Sequence, residues 1–315
     1  EDFKNTVFGG NPRVWFGFTA ATASASNLQY FENVRSSSSQ IAGLYSSLGD
    51  CNIACLEATQ MTYGGPINSR TGAYDYFVTD LSIPSQAGPI TFERTYSSLA
   101  TNLYTDVLGY GWTHNHDIYL ILGEYDPENN MRTVTLKGKT ANQYEFLQIN
   151  GEPGLIPAKG IHASLEEGPT SFILTDKSQT KYEFDLTSGK LLSHTNPSGQ
   201  AVVYDYDTEG RLSTIRDETS LSFLSLDYLG SETRIRSVTD HNERSISFDY
   251  DPNGDLVSAT DLYGNAWSYA YDDWHHVTHV FDPDEEIVER TEYESNTPEA
   301  RAVHQYDGEG NLVVS

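Results

Sequence analysis

Cysteine is almost missing from this chain: Cys51 and Cys55 are the 2 cysteines in 315 residues. A small disulfide-stapled scaffold is thereby excluded, and stability must come from a core, which a chain of this length can bury. The pair in Cys51-Asn52-Ile53-Ala54-Cys55 suggests one local disulfide in an oxidising compartment. Two free thiols on one helical turn are the alternative, and a metal site would need further ligands that the neighbouring sequence does not offer. Positive charge is scarce too, with 19 Lys and Arg against 45 Asp and Glu and a formal net charge of −26. That balance opposes binding to a nucleic-acid backbone or an anionic membrane surface, and suits a soluble surface protein, a cation-handling one or one from a salty habitat. No run of eighteen apolar residues exists, so no transmembrane helix is expected. Nucleophile elbow, P-loop and dinucleotide fingerprint are all missing, and no asparagine lies in an N-glycosylation sequon. No enzyme acting within these residues is therefore expected. Glu1 lacks a preceding methionine or signal-peptide pattern and Ser315 falls in a strand-like run, so both ends read as cuts in something longer.

What the chain has in abundance is one phrase. It reads Tyr206-Asp207-Thr208-Glu209-Gly210, then Tyr250-Asp251-Pro252-Asn253-Gly254, then Tyr306-Asp307-Gly308-Glu309-Gly310, with Tyr271-Asp272 as a variant without glycine. Aligned on the aromatic, Phe184, Tyr206, Tyr228, Tyr250, Tyr271 and Tyr293 follow at steps of 22, 22, 22, 21 and 22 residues. A constant step marks a repeat whose units cannot bury an apolar face alone and must stack on their neighbours. Before each phrase the sequence alternates with period two, so Ile246, Phe248 and Tyr250 share a face. The aspartates sit where a carboxylate accepts from turn amides, and Gly210, Gly254 and Gly310 sit three residues on, where φ is expected to be positive. One repeat is thus two strands and two turns, and the fold class is all-β: an antiparallel ribbon. Strand signals from Phe77 to Ile121 and Thr133 to Leu174 extend that reading upstream.

These residues resemble the YD repeats of the Rhs family, shared by bacterial Rhs proteins, insecticidal toxin shells and animal teneurins. The upstream stretches Gly65 to Tyr74, Thr79 to Pro84, Phe92 to Ser98 and Leu108 to Thr113 look like the module that precedes the repeats in that family. The resemblance implies a ribbon that spirals into a hollow β-shell, enclosing a toxin in some members and serving cell contact in others, secreted or on the cell surface. Residues 1–34, with Trp15-Phe16-Gly17-Phe18-Thr19-Ala20-Ala21-Thr22, are similar to the closing strands of legume-type lectins, an ordinary apolar hairpin being the alternative. The expected organisation is a lectin-like stub at 1–34, a polar linker at 35–62 with a short helix within Gln40 to Leu48, the upstream module at 63–160 and YD repeats at 161–315.

Several clusters in the chain carry residues capable of chemistry. Asp249-Tyr250-Asp251-Pro252-Asn253-Gly254 matches the first half of an EF-hand loop but meets Thr260 at position twelve, and the stretch from Asp205 meets Arg216 there. A repeated hairpin turn explains the spacing; no cofactor is expected, with calcium the alternative. His275-His276-Val277-Thr278-His279 lacks the glutamate of the zinc-protease motif and reads as surface or shell-lining histidine, while His114-Asn115-His116 offers two imidazoles and no third ligand. Asp251-Pro252-Asn253-Gly254-Asp255 departs at its fifth position from the self-cleaving segment of many Rhs proteins and takes no such role. The 21 tyrosines and 4 tryptophans fall mostly at alternating positions, so packing is expected before sugar stacking. The leading expectation is a non-enzymatic β-scaffold for adhesion, cell contact or toxin enclosure. The alternatives are a carbohydrate-binding adhesin facing glycans or another cell surface, and a filament subunit that self-associates through sheet edges.

Overall fold

A computed structural model describes residues 67–68, 71–103, 106–140 and 142–314. The lectin-like stub, the linker with its short helix and the Cys51–Cys55 pair lie outside the described residues. The rest is β throughout, with a 3₁₀ turn at Ser98–Ala100 as the one helical element among the described residues. No helix there is long and apolar enough to cross a membrane.

Two sheets form. The first has three antiparallel strands in chain order, β1 (Asp75–Ile83), β2 (Ile90–Ser97) and β3 (Trp112–His114). The second is a long strip in which each strand pairs antiparallel with the next. It begins with β4 (Tyr119–Leu122), β5 (Met131–Lys137), β6 (Gln143–Ile149), β7 (Gly154–Pro157), β8 (Ser164–Glu167) and β9 (Ser171–Thr175). The repeats supply β10 (Lys181–Asp185), β11 (Leu191–Thr195), β12 (Ala201–Tyr206), β13 (Leu212–Asp217), β14 (Phe223–Tyr228) and β15 (Ile235–Asp240). They continue as β16 (Ser245–Tyr250), β17 (Leu256–Thr260), β18 (Ala266–Tyr271), β19 (Val277–Phe281), β20 (Ile287–Tyr293), β21 (Ala302–Asp307) and β22 (Leu312–Val314). The strip curls back on itself: Tyr119 in β4 bridges Lys190, and the Leu120 N–H donates to the Gly189 carbonyl at 2.8 Å.

The same five-residue turn recurs on both rims of the strip. Its first residue is Asp or Asn, whose Oδ1 accepts the fifth residue's N–H, as in Asn196 to Gln200, Asp207 to Arg211, Asp251 to Asp255, Asp261 to Asn265 and Asp307 to Asn311. The fourth residue has positive φ, and it need not be glycine: Glu243 (64°), His275 (67°) and Glu285 (64°) take the place of Gly210 or Gly254. A carboxylate that bonds two turn amides compensates a left-handed side chain that would otherwise be disfavoured. Glycine is therefore dispensable at Asp240, Asp272 and Asp282.

At every repeat aromatic the register shifts by one residue, so Tyr206 faces Leu212, Tyr228 faces Ile235, Tyr250 faces Leu256 and Tyr271 faces Val277. Each shift is a β-bulge, which sharpens the local twist. The tyrosine hydroxyl then reaches back into the preceding repeat. Tyr206 donates to Leu191 O at 2.8 Å, Tyr228 to Leu212 O at 2.7 Å, Tyr250 to Ile235 O at 2.7 Å, Tyr271 to Leu256 O at 2.6 Å and Tyr293 to Val277 O at 2.9 Å. Each accepting residue is the cross-strand partner of the previous aromatic, so the hydroxyls form a ladder across the strip. Lys190, Arg211 and Arg234, each closing a turn, lie over the next repeat's Tyr206, Tyr228 and Tyr250 at 5.0, 4.5 and 5.4 Å.

Two predictions follow from this geometry. Tyr250→Phe, which removes only the hydroxyl, is expected to cost about 1 kcal/mol in urea melts, and Tyr250→Ala about 3 kcal/mol or more; equal costs would mean the hydroxyl is idle. A methyl at Gly189 would stand 2.0 Å from Leu120 O, whereas one at Gly264 meets nothing within 4 Å. Gly189→Ala should therefore cost about 3 kcal/mol through overpacking, and Gly264→Ala only about 1 kcal/mol through its φ, in the same melts.

Candidate functional site

The three-stranded sheet lies against the strip, and the seam between them gathers most of the buried polar chemistry. In β2, period-two alternation points Ile90, Phe92, Arg94 and Tyr96 to one buried face while Glu93 stays exposed. Arg94 thus stands where an apolar side chain belongs. Its partner arrives by a bulge: Thr79 pairs with Glu93 and Leu81 with Phe92, which leaves Asp80 as the extra residue. The Asp80 carboxylate accepts Arg94 Nε at 2.5 Å and Nη2 at 2.8 Å. From the strip, Tyr269 Oη lies 3.4 Å from both terminal nitrogens, and the guanidinium sits 5.2 Å from the Phe248 ring and 5.0 Å from Trp112. Burial works against the cation, but the Asp80 charge and Tyr269 outweigh it and hold the guanidinium above its ordinary range.

Further along the seam, Trp112 Nε1 donates to Tyr271 Oη at 2.9 Å, so that hydroxyl accepts from the inner sheet while donating to Leu256. Tyr96 Oη donates to His275 O at 2.9 Å and accepts the Val277 N–H at 3.0 Å. Tyr74 donates to Glu289 at 2.7 Å, and Asp217 accepts the Gln86 and Ala87 amides at 2.7 and 3.1 Å. Main-chain bonds join Ile235 N to Val107 O and Ala302 N to Gly72 O. Lys137, fully buried in β5, donates to the Asp117 carboxylate at 2.9 Å and to Thr113.

The residues singled out from sequence fall mainly on the rims. Asp207, Asp251, Asp272 and Asp307 each open a turn, and Gly210, Gly254 and Gly310 occupy its left-handed position. Tyr206, Tyr250 and Tyr271 belong to the hydroxyl ladder; Tyr306 instead donates to Glu292 at 3.2 Å and lies under Arg290 at 4.0 Å. Burial works to raise the Asp207 and Asp272 carboxyls, but bonds from turn amides and from the Arg211 and His276 side chains outweigh it and hold both below their usual range; at Asp307 the Asn311 side chain and turn amides do the same against a smaller effect of burial. The histidine run does not act as a unit. His275 pairs with Asp255 at 2.9 Å and stacks on Tyr110 at 3.6 Å, His276 pairs with Asp272 at 2.9 Å, and His279 bonds Thr278. His276 is fully buried, where a surface or shell-lining position was expected, because it closes a turn beneath Tyr293. Arg216, at the twelfth position of the calcium-like spacing, forms an ion pair with Asp205 across the hairpin at 2.8 Å. Among the described residues no group of three or more His, Asp or Glu is placed to hold a metal ion.

Sequence reasoning missed two groups. Arg94 and Asp80 were in view only as parts of a motif, and nothing local signals that they pair. His114 and His116, both buried, are joined by a third imidazole, His194 of β11, whose neighbours Ser193 and Thr195 give no hint of it.

Comparison with known proteins gives two family matches: a domain of unknown function, DUF6531, over residues 64–146, and the teneurin YD-shell over residues 158–311. The chain is 27% identical over 151 residues to the tRNA3(Ser)-specific nuclease WapA of Bacillus spizizenii. It is 26% identical over 151 residues to the tRNA nuclease WapA of Bacillus subtilis. In both cases 47% of this chain is covered and only 6% of the relative's length. Among solved structures, the crystal structure of TcdB2-TccC3 without its hypervariable C-terminal region aligns at a TM-score of 0.32 with 13% identity, over 75% of this chain and 15% of that one. The Photorhabdus luminescens Tc holotoxin pore aligns at 0.32 with 11% identity, over 74% and 14%.

Removing one partner from the buried ion pair tests the seam. Arg94→Met strands the Asp80 carboxylate and is expected to cost about 3–5 kcal/mol in chemical denaturation, with part of the loss recovered on adding Asp80→Asn. A neutral single variant, or purely additive losses, would show that the pair is not what holds the inner sheet.

Proposed function

Because this chain is an Rhs/YD-repeat protein, we propose that it is a wall: a non-enzymatic β-scaffold within a larger secreted or cell-surface protein, enclosing a toxin or presenting the protein to another cell. One observation supports this best. Among the described residues, the tyrosines, aspartates and histidines of the repeat turns are taken up in holding repeat to repeat and sheet to sheet. Tyrosine hydroxyls bond carbonyls of the preceding repeat, aspartates bond turn amides, and His275 and His276 bond Asp255 and Asp272. A side chain with both hydrogen-bonding ends occupied inside a rigid frame is a poor nucleophile or base, since reaction would break the frame. The three-stranded sheet covers the strip's buried face from β12 to β21, which suits a cap or lining over part of the wall.

The tRNA nuclease activity named for the Bacillus relatives belongs to proteins of which this chain matches a small fraction, and we place any such activity outside residues 1–315. Purified chain incubated with total tRNA and a divalent metal is expected to leave the tRNA intact. Cleavage that stays with the chain through purification and scales with its concentration would overturn the non-enzymatic reading.

A further inference from the structure

Three imidazoles meet at one end of the seam, and their hydrogen bonds fix where every proton sits. His116 Nε2 lies 2.6 Å from the Thr91 carbonyl, which only accepts, so Nε2 carries a hydrogen. In the neutral ring Nδ1 is then an acceptor, and the Tyr204 hydroxyl at 3.2 Å must donate to it. The Tyr204 oxygen is left to accept, and it does so from His194 Nδ1 at 2.9 Å. His114 Nδ1 accepts the main-chain N–H of His116 at 3.3 Å, so in neutral His114 the hydrogen is on Nε2. The chain of donors runs one way, from His194 through Tyr204 and His116 to Thr91.

A further proton has no place in that chain. On His116 Nδ1 it would face the Tyr204 hydroxyl, which already receives from His194 and would have to surrender its own donation. On His114 Nδ1 it would face the His116 N–H. Only His194 takes a proton, at Nε2, without losing the bond to Tyr204. The elements packed around the cluster give a new cation little help. Phe92 of β2 stacks on His114 at 5.0 Å, Tyr182 of β10 stacks on His194 at 5.8 Å, and Lys137 of β5 and Lys139 add positive charge. The Asp117 carboxylate faces His114, and Lys137 already occupies it.

We propose that this cluster is an acid-released latch: the inner sheet stays seated on the strip while the three imidazoles are neutral, and protonation of His114 and His116 unseats it. His114 and His116 ride on and just after β3 of the inner sheet, and Tyr204 and His194 belong to the strip, so the His116–Tyr204 bond is the seam bond a proton breaks, while a proton on His114 breaks its bond to the His116 N–H and loosens the segment that carries His116. Burial lowers His114 and His194 from 6.5 to about 4 and pushes His116 well below its ordinary value. A folded value below the unfolded one means that the open form binds more protons. The seam is therefore at full strength above about pH 6.5 and weakens as pH falls from there towards 4. Three buried or half-buried acids elsewhere pull the other way. Asp75 at the start of β1, held up to about 6 by burial, and Asp255 and Glu289 of the strip, also raised by burial, favour the closed form as they protonate.

The difference between wild type and a histidine variant isolates the latch from those acids. Amide hydrogen exchange of β2 and β3 is measured from pH 7.5 to 5 on the whole chain, corrected for intrinsic rates, beside His114→Asn, which keeps an acceptor for the His116 N–H. From pH 7.5 to 5, opening of the wild-type seam should rise about 30-fold more than in the variant, as follows from one imidazole shifted from 6.5 to about 4. An equal rise in both proteins would overturn the proposal. If His114→Asn does not fold, the imidazole carbon shifts of wild type decide instead. Neutral His116 bearing its hydrogen on Nε2 at pH 6, turning to imidazolium only as β3 loses protection, is the expected result, and imidazolium with β3 still protected overturns it.

Discussion

A tyrosine hydroxyl reaching back fifteen or sixteen residues to a main-chain carbonyl is what turns a series of hairpins into one wall. A lone hairpin is marginal in water, and adjacent hairpins joined only by ladder bonds are free to slip in register. The hydroxyl removes that freedom, because it meets an acceptor only when the tyrosine stands opposite the bulge and one repeat step from its target. Each bond contributes about 1 kcal/mol net, so its value lies more in specifying one register than in bulk stability. The aromatic ring supplies the burial, and over Tyr206, Tyr228 and Tyr250 a basic residue covers one ring face.

The seam obeys a different logic. Its apolar part is ordinary, with Phe92 against Phe248 and Trp112 against Tyr269. A guanidinium in their midst is expensive to bury, and the bulge in β1 is what makes it tolerable by delivering the Asp80 carboxylate to the same face. Buried ion pairs of this kind gain little over apolar packing but punish misalignment severely. Arg94 thus ties the inner sheet to one seat, at the ring positions of Phe248 and Tyr269, and the main-chain bonds from Val107 and Gly72 extend that seat to β15 and β21.

How much of this was legible depended on range. The step of about 22 residues, the all-β class and the turns at Asp207, Asp251 and Asp307 could be read because period, alternation and turn chemistry are local. The turn at Asp282 is the same one, yet its left-handed position holds Glu285 where glycine was the expected sign. The hydroxyl ladder was out of reach: Tyr250 looks like a core anchor until Ile235 is placed beside it by two registers in succession. Arg94 with Asp80, and the trio of His114, His116 and His194, belong to the same class. Their partners are chosen by how two sheets pack, which no spacing in the chain encodes. His276 differs from its expected surface or shell-lining place for a local reason, because a run of three histidines gives no sign of which one closes a turn beneath an aromatic ring.

The capped turn has one more consequence. Since its shape is held by the first residue's carboxylate or amide, which accepts the main-chain N–H groups of the third and fifth residues, the turn asks little of the side chains at its second and third residues beyond Asn253, whose Nδ2 adds a bond to Asp251. They are occupied by Pro197 and Ser198, His241 and Asn242, Leu262 and Tyr263, Pro283 and Asp284 along one rim, and by Thr208 and Glu209, Pro252 and Asn253, Asp273 and Trp274 along the other. Successive turns on a rim are two strands apart, roughly 10 Å. Each rim is therefore a row of dipeptides, spaced at about 10 Å where five-residue turns follow directly, as from Asp240 to Asp261 to Asp282, and at twice that where a turn of another kind, such as Asp217–Ser222, intervenes.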